Sequence, residues 1–303
     1  MSVFYGISRL LRGLLMNTID ENRKELDEIN ASKKMNEVQN YMLDMLKQLV
    51  TVFNKNNIRY YMIGGTILGA IRHKGFIPWD DDIDLAIPRD DYDRFLKIAK
   101  DALPDALTLR TYYDDSYHHY YFARVVDTRY RILRQGSLKE REEELWIDLF
   151  PLDGLPRNGI LQRIHKARLL RLKLLYHFAT FDKVNLLRPN RPLYQRIIIK
   201  AYMIWPFKSK KNYKQILDKI DKLLKQASLE KSDYYMEFMG SSIPFRETCT
   251  KEQYGEGKLY DFEDTQFIGP VDAEFYLSHV YGDYMTLPPK EKRNYHAAKF
   301  IKA

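Results

Sequence analysis

The sequence predicts an α/β fold whose alternating strands and helices are interrupted by a basic helical segment. Residues 35–156 alternate between short β-prone runs and amphipathic helical patterns, whereas apolar residues from 157 to about 229 repeat almost only at helical spacing. Short strands and glycine-containing turns return after residue 233. The chain therefore divides into an N-terminal amphipathic segment (1–34), a core (35–156), a basic helical segment (157–232) and a C-terminal part that completes the core (233–303).

The predicted elements of the core follow from the spacing of apolar residues. Gly64 and Gly65 fall between a strand and a helix, and Pro88 ends a strand in which apolar residues alternate with acids. Asp90 and Asp91 then favour a helix start, because carboxylates stabilise a helix N-terminus. The predicted helices cover 35–53, 66–71, a stretch from 90 and 271–280, and the predicted strands cover 60–63, 83–87, 120–126, 130–133 and 145–150.

Length and composition are those of a folded protein. The chain has 303 residues, of which 45% are apolar and 14% aromatic, enough to bury one large core or two small ones. Its single cysteine, Cys249, excludes an intrachain disulfide and a multi-cysteine zinc site. Composition thus rules out a wholly disordered chain and a disulfide scaffold, and it fits a reducing compartment.

The N-terminal segment has an amphipathic pattern rather than that of a signal peptide. Arg9 and Arg12 interrupt the apolar region that a signal peptide needs. The pattern fits either a helix lying in a membrane interface or a helix docked on the protein itself. No run of about 18 apolar residues predicts a spanning helix, since Arg196 and Lys200 interrupt the nearest candidate at 193–207. The apolar face comprises Val3, Phe4, Ile7, Leu10, Leu11, Leu14 and Leu15.

The positive charge is concentrated in one part of the chain. Residues 157–211 hold 14 Lys or Arg and one acid, a net +13, which leaves −5 for the rest of the +8 chain. Such a basic amphipathic pattern fits anionic lipid, a phosphate-bearing acceptor, nucleic acid or a merely solvated face. Nearby Tyr194, Tyr202 and Trp205 favour the membrane reading. The apolar positions are Ile160, Ile164, Ala167, Leu170, Leu174 and Phe178, and the basic ones are Arg163, Lys166, Arg168, Arg171 and Lys173.

Acidic residues form the most informative pattern. Asp82 and Asp84 are one residue apart on a predicted strand, so their side chains point to one side, about 7 Å apart along the chain. Burying two such acids is unfavourable unless a cation neutralises them, and oxygen ligands favour Mg²⁺ or Mn²⁺. Asp80 has the same parity, and Asp148 lies alone in an apolar strand. If the two strands are neighbours, Asp148 completes a three-carboxylate metal site.

The glycine pair predicts a place for phosphate. Gly64 and Gly65 allow a ligand close to the backbone, and the following helix N-terminus offers unpaired amides and a positive dipole. Thr66 adds a hydroxyl, while Arg72 and Lys74 place cationic groups one to two turns further on. Each feature alone is weak, but their combination with the acids is specific.

The same stretches resemble a known family. GGTILGAIRHKGFIPWDDDIDLAIPRDDYDRF, VVDTRYRI, WIDLFPLDGLP and YGDYMTLPPKEKRNYH are similar to the LicD family, which contains bacterial phosphorylcholine transferases and is related to fukutin-type ribitol-phosphate transferases. The glycines and three Asp also resemble the nucleotidyltransferase superfamily that includes DNA polymerase β. The resemblance covers roughly residues 35–296. It implies a mixed sheet flanked by helices, with 35–156 as a nucleotidyltransferase-like catalytic core.

The resemblance also implies an activity. A phospho-alcohol, phosphorylcholine first, would pass from a CDP-activated donor to a sugar hydroxyl with release of CMP, using Mg²⁺ or Mn²⁺. The acceptor would be a cell-surface glycan such as teichoic acid or lipopolysaccharide, or its lipid-linked precursor. We therefore expect a cytoplasmic enzyme, peripheral on the inner face of the membrane and not bound to nucleic acid. Its metal ligands would be Asp82, Asp84, Asp148 and, less directly, Asp80, and its phosphate ligands Gly64, Gly65, Thr66, Arg72 and Lys74.

Several alternatives stay open at this point. Asp148 fits a metal ligand or the base that takes the acceptor's proton. The aromatic run from Tyr112 to Phe122 fits a choline cage, although core packing explains it equally well. A nucleotidyltransferase acting on a small phosphate ester or a protein, and a non-enzymatic membrane-surface adaptor, are competing functions. Asp127, Arg129, Tyr281, Gly282, Asp283 and His296 match family motifs without a derivable role.

Overall fold

The computed structural model describes residues 21–113, 118–134, 141–180, 196–197, 200, 212–241, 243–293 and 298–302. The strands within them are β1 (Tyr61–Met62), β2 (Asp84–Pro88), β3 (Leu107–Arg110), β4 (Ala123–Arg134), β5 (Arg141–Leu152), β6 (Tyr234–Met236), β7 (Thr248–Thr250), β8 (Lys258–Phe262), β9 (Thr265–Gly269) and β10 (Ala298–Lys302). Six of them form a mixed sheet, which confirms the predicted α/β class, with strand order β1-β2-β5-β4-β10 and β3 paired to β4. Two-stranded sheets β6–β7 and β8–β9 lie outside it.

Helices flank the sheet and form a separate helical layer. They are α1 (21–32), α2 (Glu37–Lys55), α3 (Gly64–His73), α4 (Arg89–Ala102), α5 (Gly159–Ala179), α6 (Tyr213–Leu224), α7 (Lys251–Tyr254) and α8 (Ala273–Tyr281), with a 3₁₀ turn at Lys290–Lys292. The predicted elements of the core are confirmed with shifted ends. The strands predicted at 120–126 and 130–133 are one long strand, β4, whose register shifts between Asp127 and Arg131.

Sheet register brings the separated acids together. β2 and β5 are parallel, and Asp84 lies directly opposite Asp148, as the sequence suggested. β4 runs antiparallel to β5 and sets Arg124 opposite the same Asp148. Asp82 differs from expectation, because β2 begins only at Asp84 and strand parity therefore does not orient the Asp82 side chain.

Helix α2 supports the loop that carries the acids. Asn36 and Gln39 form a capping box, in which each side chain accepts the other's backbone N–H. The Gln39 side-chain amide also donates to the carbonyls of Ile77 and Asp80, at 3.2 and 2.9 Å. Gln39 is fully buried, so the same residue starts the helix and holds the loop.

The described residues form two hydrophobic cores. The larger lies between the central sheet and its helices, and the smaller joins α5 and α6 to the loop after β6, with Leu169, Leu217 and Phe238 at its centre. Residues 21–32 are held by side chains of the rest of the protein, for example Arg293, which bonds to Glu25 at 2.9 Å. The amphipathic face predicted at residues 3–15 and the aromatic residues of 194–205 lie outside the described residues.

Helix α5 presents a different face to the protein from the one its apolar spacing suggests. Its inner face is formed by His165, Leu169, Lys173 and Tyr176, all buried. Ile160 and Leu174 are instead 69% and 47% exposed. Lys173, assigned from sequence to the basic surface, donates to the carbonyls of Phe238 and Ser241 at 2.6 and 3.0 Å. In the described part of the chain, no helix has the length and apolarity needed to cross a membrane.

Candidate active site

The candidate site lies where β1 ends and β2 begins. β1 runs through Ile63 into α3, and the Ile63 amide donates to the Asp84 carbonyl at 3.2 Å. The Thr66 hydroxyl accepts from the Asp84 amide at 2.8 Å. These two bonds fix the first turn of α3 against the start of β2.

The two glycines make room for carboxylates. Gly64 has a φ of +57°, and a Cβ added there would lie 2.8 Å from Asp84 Oδ2. A Cβ on Gly65 would lie 2.7 Å from Asp80 Oδ2. Both acids therefore rest against the N-terminal end of α3, where the helix dipole favours negative charge. The glycine pair is needed for this close approach.

Negative charge is concentrated at this point. We call Asp80, Asp82, Asp84 and Asp148 the acid cluster. Burial, followed by the charge of Asp82 and a hydrogen bond to it, raises the pKa of Asp80 well above its usual value. Burial also raises the pKa of Asp84, with further contributions from Asp82, Asp148 and Asp80. The acids thus repel one another where they stand.

Asp148 is paired with a cationic side chain, that of Arg124. Arg124 Nε donates to its Oδ1 at 2.6 Å, and Trp146 Nε1 donates to Oδ2 at 3.2 Å. The buried guanidinium also lies 4.2 Å from the ring centre of Tyr120 and 4.5 Å from that of Trp146. Part of the aromatic run that suggested a choline cage therefore surrounds an arginine of the protein.

The residues predicted to bind phosphate lie at both ends of α3. The Gly64 amide donates to the Tyr276 hydroxyl at 3.0 Å, and the Thr66 hydroxyl is used by Asp84. Arg72 is buried and donates to the Tyr284 carbonyl at 2.8 Å. Burial, followed by the charge of Arg293, lowers its pKa to about 10. Lys74 is the exposed C-cap of α3, about 15 Å along the helix from Gly64.

Sequence reasoning missed Glu247 and gave Tyr276 no role. Tyr276 donates to Glu247 Oε2 at 2.7 Å while its oxygen accepts from the Gly64 amide. Tyr281, flagged only as part of a motif, is 44% exposed. Its pKa is raised by burial and by the charges of Glu247 and the acid cluster. The family motif around Tyr281 could have drawn attention to that residue. Glu247 lies among short elements and belongs to no motif that the sequence analysis used. His296 lies outside the described residues.

The donor set has the chemistry of a site for a hard divalent cation. All its members are carboxylates, and burial together with neighbouring acids raises the pKa of Asp80 and Asp84, a cost that a bound cation would relieve. Within the described ranges, no three His, Cys, Asp or Glu side chains stand close enough together to hold a metal ion. The residues thus fit Mg²⁺ or Mn²⁺ by charge and donor type, and metal binding stays a prediction.

Comparison with known proteins identifies the family. The model of the LicD/FKTN/FKRP nucleotidyltransferase domain matches residues 57–167, which contain the glycines and the acid cluster. The lipopolysaccharide cholinephosphotransferase LicD of Haemophilus influenzae is 30% identical over 268 residues, covering 86% of this chain and 95% of that protein. The chain belongs to the LicD family. It is therefore a phosphotransferase with the nucleotidyltransferase-like fold that the sequence indicated.

More distant LicD-family relatives share a shorter stretch. Human and mouse ribitol 5-phosphate transferase FKRP are each 44% identical over 45 residues, which cover 15% of this chain and 9% of those proteins. The names of the bacterial and mammalian relatives specify different alcohols, choline in the first and ribitol in the second. Family membership consequently establishes a phosphotransferase and leaves the transferred alcohol to experiment.

Proposed function

We propose that this protein transfers a phospho-alcohol, phosphorylcholine first, from a CDP-activated donor to a sugar hydroxyl. Its acceptor would be lipopolysaccharide, another cell-surface glycan, or a lipid-linked precursor. The observation that carries the proposal is the acid cluster built against the Gly64–Gly65 turn, in a chain aligned over nearly its whole length with a cholinephosphotransferase. Choline ranks first because that relative, unlike FKRP, spans most of the chain.

Residue roles follow from position. Asp82 and Asp84, with Asp80 beside them, would hold the divalent cation, whose charge would neutralise the donor pyrophosphate when bound. Because Gly64 and Gly65 have no Cβ, the carboxylates of Asp84 and Asp80 can approach the backbone at the start of α3. Arg72, buried behind the turn, contributes positive potential near Asp80. Arg124 neutralises Asp148, which permits a further acid next to Asp84.

The surface of α5 supports a membrane location. We call Ile160, Arg163, Ile164, Arg168, Arg171 and Leu174 the outer face of α5; all six are exposed. Isoleucine and leucine side chains among arginines are typical of helices that lie in an anionic lipid interface. An enzyme held there would meet a lipid-linked acceptor, and the inner face of the cell membrane is the location we propose for it.

A donor screen tests the proposed reaction. Purified protein is mixed with Mg²⁺ or Mn²⁺ and with CDP-choline, CDP-ribitol or CTP, with and without a glycolipid acceptor. We expect CMP release that requires the acceptor and is fastest with CDP-choline. Pyrophosphate release from CTP would instead indicate a nucleotidyltransferase, and no turnover with any donor would indicate a membrane-surface adaptor. Metal chelation, followed by restoration of Mg²⁺ or Mn²⁺, tests the cofactor in the same assay.

A further inference from the structure

Transfer to a sugar requires a group that removes the hydroxyl proton. Asp148 is the candidate suggested by the sequence, but both of its oxygens accept hydrogen bonds, one from the Arg124 guanidinium and one from the Trp146 indole. The contact with the Arg124 guanidinium, at 2.6 Å, is a charge-assisted hydrogen bond that fixes the orientation of the carboxylate. The geometry therefore gives Asp148 an orienting role and points to another residue as the base.

Glu247 is linked to Gly64 through Tyr276. Its Oε2 accepts from Tyr276 at 2.7 Å, and the Tyr276 hydroxyl accepts from the Gly64 amide at 3.0 Å. Asp84 Oδ2 is 2.8 Å from the point where a Gly64 Cβ would lie. The same glycine therefore lies against the proposed metal-binding carboxylate and is joined through Tyr276 to a second carboxylate, which comes just before β7.

The surroundings of Glu247 bring the pKa of its carboxyl close to neutral pH. It faces Lys173 from α5, Glu237 from the loop after β6, Tyr276 from α8 and Asp84 from β2. Burial, followed by the charge of Glu237, raises the pKa of Glu247 to about 7. Lys173 and the hydrogen bonds from Tyr276 and the Ser241 side chain act in the opposite direction. Such a carboxyl can take up and release a proton at physiological pH.

Glu247 and Tyr281 are both partly exposed residues. The exposed fraction of Tyr281 is 44%, while burial of its hydroxyl, followed by the charges of Glu247 and of three members of the acid cluster, raises its pKa. An acceptor hydroxyl bound beside Tyr281 would therefore lie near both Glu247 and the acid cluster. Tyr276, fully buried, holds the Glu247 carboxylate in place.

We propose that Glu247 is the catalytic base of the transfer. Its carboxylate accepts the proton of the acceptor hydroxyl while that oxygen bonds to the donor's distal phosphorus. The bond from this phosphorus to the bridging oxygen breaks, and its electron pair leaves with CMP. The proton then passes from Glu247 to solvent. This inference rests on the proposed function, because it needs a hydroxyl acceptor.

Glu247→Gln tests the assignment with little change of shape. We expect kcat for acceptor-dependent CMP release to fall about 100-fold or more, while the KM for the donor changes less than about threefold. Glu252→Gln removes an exposed acid five residues away and should leave the rate unchanged. A Glu247→Gln enzyme within about threefold of the wild-type kcat would overturn the proposal.

Acceptors with a more acidic hydroxyl separate a base from a merely structural residue. Fluorination next to the reacting hydroxyl makes its proton easier to lose, so the deficit of Glu247→Gln should shrink about tenfold with such acceptors. Tyr276→Phe and Asp148→Asn should be equally impaired with both acceptors. A constant deficit for Glu247→Gln, or a shrinking one for Asp148→Asn, would overturn the assignment.

Two controls keep the result interpretable. Thermal unfolding shows whether Glu247→Gln folds, and Glu247→Asp, which keeps a carboxylate, replaces it in the acceptor comparison if it does not. With Glu247→Asp, whose shorter side chain holds the carboxylate further from the acceptor, we expect a smaller loss that also shrinks with acidic acceptors; a loss that stays constant would argue against the base. Wild-type protein that releases no CMP would overturn the proposed function itself, which distinguishes the two failures.

Discussion

The acid cluster and the outer face of α5 each keep an unfavourable feature in the isolated protein. In the acid cluster, burial and like charges raise the pKa of Asp80 and Asp84. On α5, Ile160 and Ile164 are 69% and 51% exposed, although burial of such side chains is favourable. A divalent cation would relieve the first feature and a lipid surface the second. We therefore propose the first as a cation site and the second as a lipid-binding surface.

The two regions differ in how they are built. The acid cluster is assembled by backbone register and by two glycines, so its chemistry depends on positions fixed by the sheet. The outer face of α5 is exposed because the opposite face of the helix, which includes Leu169 and Lys173, packs against the smaller core. Substitutions should accordingly separate activity from lipid binding.

The largest expected effect is loss of turnover at the acid cluster. Asp84→Asn removes one charge, and we expect acceptor-dependent CMP release to fall about 1000-fold, equal to about 4 kcal/mol of transition-state stabilisation. The unfolding midpoint without added metal should stay equal or rise, because repulsion with Asp82 and Asp148 is reduced. Asp90→Asn, an exposed acid of α4, is the control for turnover. An active Asp84→Asn enzyme would contradict the metal assignment.

Lipid binding should respond next. Replacing Arg163, Arg168 and Arg171 together by Gln should weaken binding to vesicles containing anionic lipid about 100-fold at low salt, at about 1 kcal/mol for each charge. Turnover of a water-soluble acceptor should not change. Sedimentation with vesicles measures the effect, and unchanged, salt-insensitive binding would remove the lipid role of α5. The matched control, with equal charge loss on exposed positions of α2 and α4, replaces Lys55, Lys97 and Lys100 by Gln.

Substituting one glycine near the acid cluster and one in α5 compares how each region contributes to the free energy of unfolding. Gly64→Ala places a Cβ at a φ of +57° and 2.8 Å from Asp84 Oδ2, so we expect it to lower the free energy of unfolding by about 2–3 kcal/mol and to abolish turnover. Gly159, the first residue of α5, has open space around a Cβ, and Gly159→Ala should be neutral or stabilise by about 0.5–1 kcal/mol. Urea unfolding measures both, and equal effects would contradict the assigned role of Gly64.

The smallest effect is a pH dependence at the far end of α3. His73 Nε2 accepts from Arg72 and Nδ1 bonds to Asn30, and burial, followed by the Arg72 charge, lowers the pKa of His73 to about 3. The unfolded chain binds the proton with a pKa near 6.5, so this stability is present above pH 6.5 and is lost as pH falls below it. Between pH 6.5 and 5 the free energy of unfolding should drop by about 1.6 kcal/mol.

His73→Gln is the comparison for this prediction. The variant should show a flatter dependence of unfolding free energy on pH over that window, measured by urea unfolding at several pH values. Identical slopes for wild type and variant would show that His73 is protonated in the folded protein.

Much of the candidate site could be predicted from local sequence. The strand at 83–87, the Gly64–Gly65 turn before a helix, and Asp148 in an apolar strand were predicted from alternation and turn residues, and all three are present. These features depend on neighbours a few residues away, which periodicity records. The orientation of Asp82 was not predicted correctly, because β2 begins only at Asp84, whereas the sequence placed Asp82 on the same strand.

The prediction for α5 was less complete for the same physical reason. Its charge and apolar spacing were correctly seen, but spacing alone cannot tell which face meets the core. Lys173 is buried because carbonyls of Phe238 and Ser241, some 65 residues away, accept its hydrogen bonds. Lys166 lies 5.2 Å from the ring centre of Phe245, so it too faces the protein.

The sequence by itself determined the α/β class, the family resemblance, the acid and glycine pattern, and the position of the positive charge along the chain. Tertiary structure alone decided that Arg124 neutralises Asp148, that Tyr276 links Gly64 to Glu247, and that α5 exposes isoleucine and leucine. Secondary structure and charge density arise from residues close in sequence, whereas each of these contacts joins separate elements through sheet register or packing. Partners of this kind leave no periodic signal, and only folding brings them within hydrogen-bonding distance.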